Sequence, residues 1–447
     1  MLSAPIAAAC IIIFVLLLAI AVLAIGWLLV DLVSGDEKRA AEATKSALPL
    51  LGAAIGLPLL IWRLRILDRQ TRISEDKTRI DRETHFTSIF SRSIDQLGQT
   101  REVKSPTTDG SSESITRTAP NIEVRLGGIH SFVRLAEESA RDREKIENTL
   151  LSYVRENSWV ERNGVVVAPW PTFRNSSWGW NYAYSIGKVS TESTTELRAW
   201  EERQAKQSKE KLDWAKSLKE TRVDVNEAMD AIPKVHGERR AETQLRFYEC
   251  LFVGARLEPK LLNLCRFDRC TFARCTFAQA QNYNFSSCEF IDCSIREVSA
   301  GSMSFSRCTI DGLTIGKLFN TSIRLTSSNA SELMIHDAKG GKFDFAYSTL
   351  HKAWISGEGE IELNLKHAAL AGGRIRGIKV SSCSDFEDTA LANTRLEGVD
   401  LSEIRLISDS ALAAVQGDPA TRHPEALTRP FSWDNYDPNY KDDDIPF

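Results

Sequence analysis

The sequence predicts a mixed architecture: an N-terminal transmembrane helical hairpin and an α-helical region, then a C-terminal solenoid built from short β-segments. Three observations carry this expectation. Two strongly apolar blocks lie within the first 62 residues. Large apolar residues recur every five positions between about Phe247 and Leu406. A small residue, often Cys or Ala, stands two positions before many of them.

The first block, residues 4–30, carries no charge. At a rise of ~1.5 Å per residue it is long enough for a ~30 Å hydrocarbon core. No Lys or Arg precedes it and no small-residue cleavage pattern follows, so it reads as a retained span and not as a signal peptide. The second block, residues 47–62, is shorter and contains Pro49 and Pro58. Membrane helices tolerate proline where neighbours satisfy the freed carbonyls; an interfacial or re-entrant segment is the alternative. Arg63, Arg65, Arg69 and Arg72 follow it, and the positive-inside rule then puts the C-terminal body in the cytoplasm. Gly52 and Gly56 form a small-residue stripe that would let helices approach closely, either two spans of one chain or two copies in a homo-oligomer.

Residues 63–98 continue as a charged amphipathic helix. Ile66, Ile73 and Ile80 recur every seven residues on it, which suggests a partner helix or a short coiled coil. Residues 99–120 are rich in Ser, Thr, Pro and Gly and read as a flexible linker. Residues 121–157 show two apolar faces separated by a charged stretch, the pattern of a helical hairpin. Residues 158–246 form an aromatic-rich insertion followed by helices. Trp159, Trp170, Phe173, Trp178, Trp180, Tyr182 and Tyr184 crowd its first part, either as a partner-binding loop or tucked against their own domain.

The repeat occupies residues 247–406. Its large inward positions include Phe252, Leu257, Phe267, Phe272, Phe277, Phe290, Phe305, Phe386, Leu391, Leu396 and Leu401. Its small inward positions include Cys250, Cys265, Cys270, Cys275, Cys288, Cys293 and Cys308. In extended chain, residues two apart point to the same side. One large and one small residue of each five therefore face inward, and winding such segments buries a continuous narrow core. The cysteines then read as buried thiols that pack as small apolar residues, neither metal ligands nor disulfides. Phase slips near 278–284, 316–322, 356–362 and 376–385 read as bulges or loops. Residues 407–447 form a C-terminal cap and an acidic tail with Asp434, Asp437 and Asp442 to Asp444.

This pattern resembles the pentapeptide-repeat family over about a third of the chain. The resemblance implies a right-handed quadrilateral β-helix with four pentads per turn. At ~4.8 Å between paired strands, roughly eight turns would make a rod on the order of 40 Å long. Other segments are similar to membrane-attached bacterial members: Ser93–Gly98, Val124–Ile129, Tyr153–Asn157, Asp224–Ala228, Gly417–Thr421 and Arg429–Trp433. That similarity implies a bacterial inner membrane location and brings no agreed activity with it.

No catalytic constellation stands out: the chain has no G-x-S-x-G, no H-E-x-x-H and no P-loop, and its histidines are scattered. The expectation is a non-enzymatic chain with no cofactor, acting as a membrane-tethered interaction scaffold for a protein partner. Two other readings are a DNA-mimicking topoisomerase inhibitor and a membrane-perturbing effector with a cytoplasmic sensor. DNA mimicry needs a strongly negative rod, yet the repeat holds about equal numbers of acidic and basic residues, and the whole chain has a net charge of -4. That balance gives no reason to expect a nucleic-acid partner.

Overall fold

Successive turns of the C-terminal half lie beside one another in parallel register. Leu245 pairs with Cys265, Asn282 with Ser302, Ser302 with Ser322, Met334 with Trp354, and Trp354 with Arg374. Each of these steps is 20 residues, or four five-residue segments. The result is a parallel β-solenoid of about eight turns, with all its strands in one sheet. The computed structural model describes residues 37–106, 114–158, 160–162, 165–167, 194–237, 244–279, 281–391, 393–404, 407–430 and Trp433, with scattered positions between 15 and 33.

The solenoid is wider than the sequence repeat. Pairing begins at Leu245, continues with Arg395 beside Gln416 and Leu396 beside Gly417, and ends with Asp400 beside Arg422. Four columns of left-handed residues mark its corners. One runs Glu249, Arg269, Ser287, Arg307, Ser327, Tyr347, His367, Asp388; another includes Arg274, Asp292, Glu332, Lys352 and Asn393. Lys317 and Asp337 belong to the third, Ala300 and Asn320 to the fourth. Residues other than glycine hold seventeen of the positive-φ positions among the described residues of the solenoid, and glycine holds eight. The backbone pairing on both sides of each corner offsets the modest cost that a side chain adds at positive φ. Gly341 is different: at φ 125, an added Cβ would lie 2.3 Å from the Thr321 carbonyl oxygen.

The phase slips have distinct origins. The step from Phe267 to Phe285 is two residues shorter than the others, and the step from Arg374 to Arg395 is one longer. The slips at 316–322 and 356–362 belong to a fourth face that stacks from turn to turn. Leu318 lies beside Ala338 and Thr321 beside Gly341, and register shifts between Ile335 and Ala338 and again before Gly341. These shifts are bulges. They keep Leu318, Ala338 and Ile378 buried where no large residue falls on the five-residue period.

The core changes character along the axis. Phe247, Phe267, Phe285 and Phe305 stack at centroid distances of 5.1, 5.5 and 5.3 Å. Phe252, Phe272 and Phe290 stack beside them, edge-on to the first column. Beyond these turns the same columns hold mainly aliphatic residues, among them Leu325, Leu350, Leu365 and Leu370.

N-terminal to the solenoid, residues 37–97 form one helix, α1 (Glu37–Leu97). The chain divides into a unit of residues 1–88 and a unit of residues 89–447. In the first unit, the expected transmembrane hairpin is overturned, and the inner-membrane location with it. Among the described residues, no helix is long and apolar enough to cross a membrane. Residues 47–62 are one stretch of α1. Sixteen residues rise about 24 Å, short of a ~30 Å core, and charged turns follow directly. Most of residues 4–30 lie outside the described residues. Ile66, Ile73 and Ile80 are exposed.

In the second unit, β1 (Thr100–Pro106) pairs antiparallel with β2 (Ser114–Pro120), within the stretch whose composition suggested a linker. Helices α2 (Ile122–Glu138) and α3 (Arg143–Asn157) follow. They pack chiefly on a later helix, α5 (Val223–His236), more than on each other. Between lie a small hairpin of β3 (Val160–Arg162) and β4 (Val165–Val167), and α4 (Thr194–Ser217). The aromatic residues expected at 159–184 lie outside the described residues, as do Arg405, Leu406 and the acidic tail.

Candidate functional site

The solenoid's inward positions form a hydrogen-bonded ladder. Cys250, Cys265, Cys270, Cys275, Cys288, Cys293 and Cys308 are all buried, free thiols. The Sγ of Cys270, Cys288 and Cys308 lies against the carbonyl oxygens of Phe247, Phe267 and Phe285 one turn earlier, at 3.7, 3.4 and 3.7 Å. Cys275 and Cys293 do the same with Phe252 and Phe272, at 3.3 and 3.4 Å. Burial pushes the thiols of Cys265, Cys270, Cys288 and Cys293 above the usual thiol range, so they stay protonated and inert. The large positions Phe252, Leu257, Phe267, Phe272, Phe277, Phe290, Phe305, Phe386, Leu391, Leu396 and Leu401 are buried too.

Sequence reasoning read this small position as packing alone and missed its polar role. In later turns it holds hydroxyls. Ser328 donates to the Phe305 carbonyl (3.0 Å), Ser348 to Leu325 (2.6 Å), Thr389 to Leu365 (2.9 Å) and Thr394 to Leu370 (2.8 Å). Ser328 also accepts from the Cys308 N–H, and Ser348 from the Ser328 N–H. The signal was available in part: along the column Cys250, Cys270, Cys288, Cys308, Ser328, Ser348 and Thr389 the small residue can donate, and Ala368 interrupts it.

The segments singled out at 93–98, 124–129, 153–157 and 224–228 converge on one buried polar cluster. Asp224 accepts from the Tyr153 hydroxyl at 2.5 Å and from Arg222 at 3.0 and 3.1 Å, and Arg125 lies 3.6 Å away. Asn157 Oδ1 accepts from both Arg125 (3.1 Å) and Arg222 (2.9 Å). Arg125 Nε donates to the Gln99 carbonyl, tying in the end of α1. Gly128 lets α2 meet that end: an added Cβ would sit 2.9 Å from the Ser93 carbonyl oxygen. Burial opposes the Asp224 charge, but hydrogen bonds from Arg222 and Tyr153 win and hold its carboxyl below the usual range. Burial and the same carboxylate push Tyr153 up to about 12. Nearby, His236 Nδ1 lies 2.8 Å from Glu147 Oε2, both buried.

This cluster could in principle be an active centre, since perturbed groups gather at catalytic sites. Its hydrogen bonds run among its own members, and its position explains it better. Thr221, one residue from Arg222, exchanges two hydrogen bonds with Val253 on the open edge of the first turn, both 2.8 Å. Ser158 Oγ, next to Asn157, accepts from Leu251 N at 3.4 Å. The cluster fixes the residues that finish an edge strand, where bare N–H and C=O groups would otherwise invite pairing.

The opposite end is closed by the segments singled out at 417–421 and 429–433. Trp433 is fully buried and donates from Nε1 to the Val415 carbonyl. It fills the space over Gly417, where a Cβ would meet its ring at 2.4 Å. Arg429 stacks on its face. A short helix, residues 409–413, begins at Ser408, whose hydroxyl accepts from Ala411 N.

Among the described residues, a Cβ added at Gly52 or Gly56 would meet no atom within 4 Å. Cys383 is exposed, unlike the other described cysteines. Among the described residues, no group of three His, Cys, Asp or Glu side chains could hold a metal ion. The fold and its two closed ends define a capped parallel β-solenoid. Comparison of the chain with protein-family models and with curated proteins gives no match.

Proposed function

We propose that the protein is a non-catalytic scaffold of the pentapeptide-repeat type, whose solenoid faces bind a protein partner. The observation that carries this is the division of labour in the solenoid. Inward side chains are spent on the core and on stitching turns together. Outward side chains form flat ladders with charge largely balanced from rung to rung: Arg324 with Asp344, Lys342 with Glu362, Lys366 with Glu387, and Lys379 with Glu403. Asn284, Ser304 and Arg324 stand in one outward column, the first two uncharged. A rigid, capped, flat-faced rod suits recognition of a partner without rearrangement. The balanced ladders argue against mimicry of DNA, which would need a continuous acidic face.

The test is site-specific photocrosslinking from Asn284, the neighbouring rung of the same column, in the full chain. A reproducible crosslinked protein is expected, lost when Ser304→Arg is introduced and the melting temperature is unchanged. Recovery of no protein from this face or the others would sink the reading.

A further inference from the structure

One face of the solenoid is covered by α4, and the seat between them carries unbalanced charge. Trp214 and Ala215 of α4 and Leu218 directly after it pack on Leu251, Val253, Ala273 and Ile291, outward positions whose apolar side chains this segment covers. Next to this patch, Lys211 Nζ stands 3.0 Å from Glu289 Oε1 and 2.7 Å from Asp311 Oδ2. Ser208 Oγ also donates to Asp311, at 2.7 Å. The three charged side chains are 6, 1 and 12% exposed. Two carboxylates thus face a single ammonium, and Glu289 Oε2 has no hydrogen-bond partner among the described residues.

We propose that this seat is a proton-responsive latch: α4 closes on the solenoid with uptake of one proton from solvent by Glu289, whose second carboxylate oxygen is buried without a partner among the described residues. The surrounding groups leave few alternatives. Glu210, Asp213 and Lys216 of α4 face solvent. Arg274, at the nearby corner, spends its guanidinium on the Leu218 carbonyl. Glu332 adds negative charge beside Asp311, and the Lys352 ammonium next to it offsets that charge. A surplus charge in a buried site is costly, and a proton removes it. The Lys211–Asp311 pair then remains, balanced one to one.

The direction of the effect follows from the Glu289 carboxyl. Burial raises it above its ordinary value, and the Lys211 charge opposes that rise without cancelling it. With α4 released, Glu289 faces water and returns toward 4.5. The closed state therefore holds the proton more tightly. Closure strengthens as pH falls through the closed-state value, levels off below 4.5, and weakens as pH rises. The apolar patch contributes equally at all pH values.

The measurement is amide hydrogen exchange of the full chain, read over residues 206–217 and corrected for intrinsic exchange. Between about pH 5 and about pH 8, protection of this segment in the parent protein is expected to fall about tenfold. Glu289→Gln and Asp311→Asn each leave Lys211 a single carboxylate. Both are expected to hold the higher protection across the range, with exchange in the solenoid strands unchanged. A flat profile in the parent protein would overturn the latch, whatever the variants do. So would a variant that keeps the parent's slope.

Discussion

The proximal and distal turns of the solenoid share one backbone register but not one chemistry. From Phe247 to Phe305 the columns are stacked phenylalanines, and the small inward positions are thiols at 3.3–3.7 Å from their carbonyls. From Leu325 onward the columns are largely aliphatic, and the small positions are largely hydroxyls that reach their carbonyls at 2.6–3.0 Å. Aromatic stacking brings large buried area, and thiols are weak donors. Aliphatic columns bring less area per residue, and hydroxyls both donate and accept. The difference teaches that the five-residue period specifies geometry, while the source of cohesion is interchangeable along the axis.

Four measurements would break or sharpen that contrast. The largest effect is expected from truncation of the aromatic columns. Phe272→Ala removes a ring that touches Phe252, Phe267, Phe277, Phe285 and Phe290, and should cost about 3–5 kcal/mol in denaturant unfolding. Leu350→Ala in the distal half should fall at or below the lower end of that range; equal losses would erase the distinction.

A pH effect on global unfolding comes next, from a histidine in the distal half. His351 is buried, and burial, with the Lys352 charge behind it, holds its pKa down to about 4 from 6.5. The unfolded chain then binds this proton first. Stability should fall as pH drops below 6.5 and level off below about 4, a loss of up to about 3 kcal/mol. Unfolding at several pH values in His351→Gln should show that part of the slope removed.

Smaller is the contrast between the two kinds of small residue. Ser348→Ala deprives the Leu325 carbonyl and the Ser328 N–H of a partner and should cost about 1–3 kcal/mol. Cys308→Ala loses only a weak thiol contact and should cost about 1 kcal/mol or less. The smallest effect is chemical. In the native protein Cys383 should react with a thiol reagent within the mixing time, while the seven buried solenoid thiols wait for unfolding.

Legibility in the sequence followed the size of the signal. Three faces of the solenoid were readable because Phe, Leu or Ile falls on the five-residue period. The fourth was not, because its period position holds Asn320 or Gly340, and its core residue Leu318 stands off the beat. The apolar outward residues Leu251, Val253, Ala273 and Ile291 carried no sign that a helix would cover them. The polar cluster was visible only as separate short segments, since Arg125, Tyr153 and Asp224 are far apart in the chain. The membrane hairpin went wrong for the opposite reason: a strong local signal, apolar run length, was read without the long charged helix that contains the second block.

The sequence by itself determined the winding period, the inward alternation of large and small residues, and the burial of seven cysteines. These follow from backbone geometry repeated every five residues, so each copy reinforces the same reading. Tertiary structure alone decided which end segments close the rod, which face α4 covers, and that one ammonium would meet two carboxylates there. Those contacts join residues far apart in the chain, and their energies come from desolvation and charge, which no local pattern records.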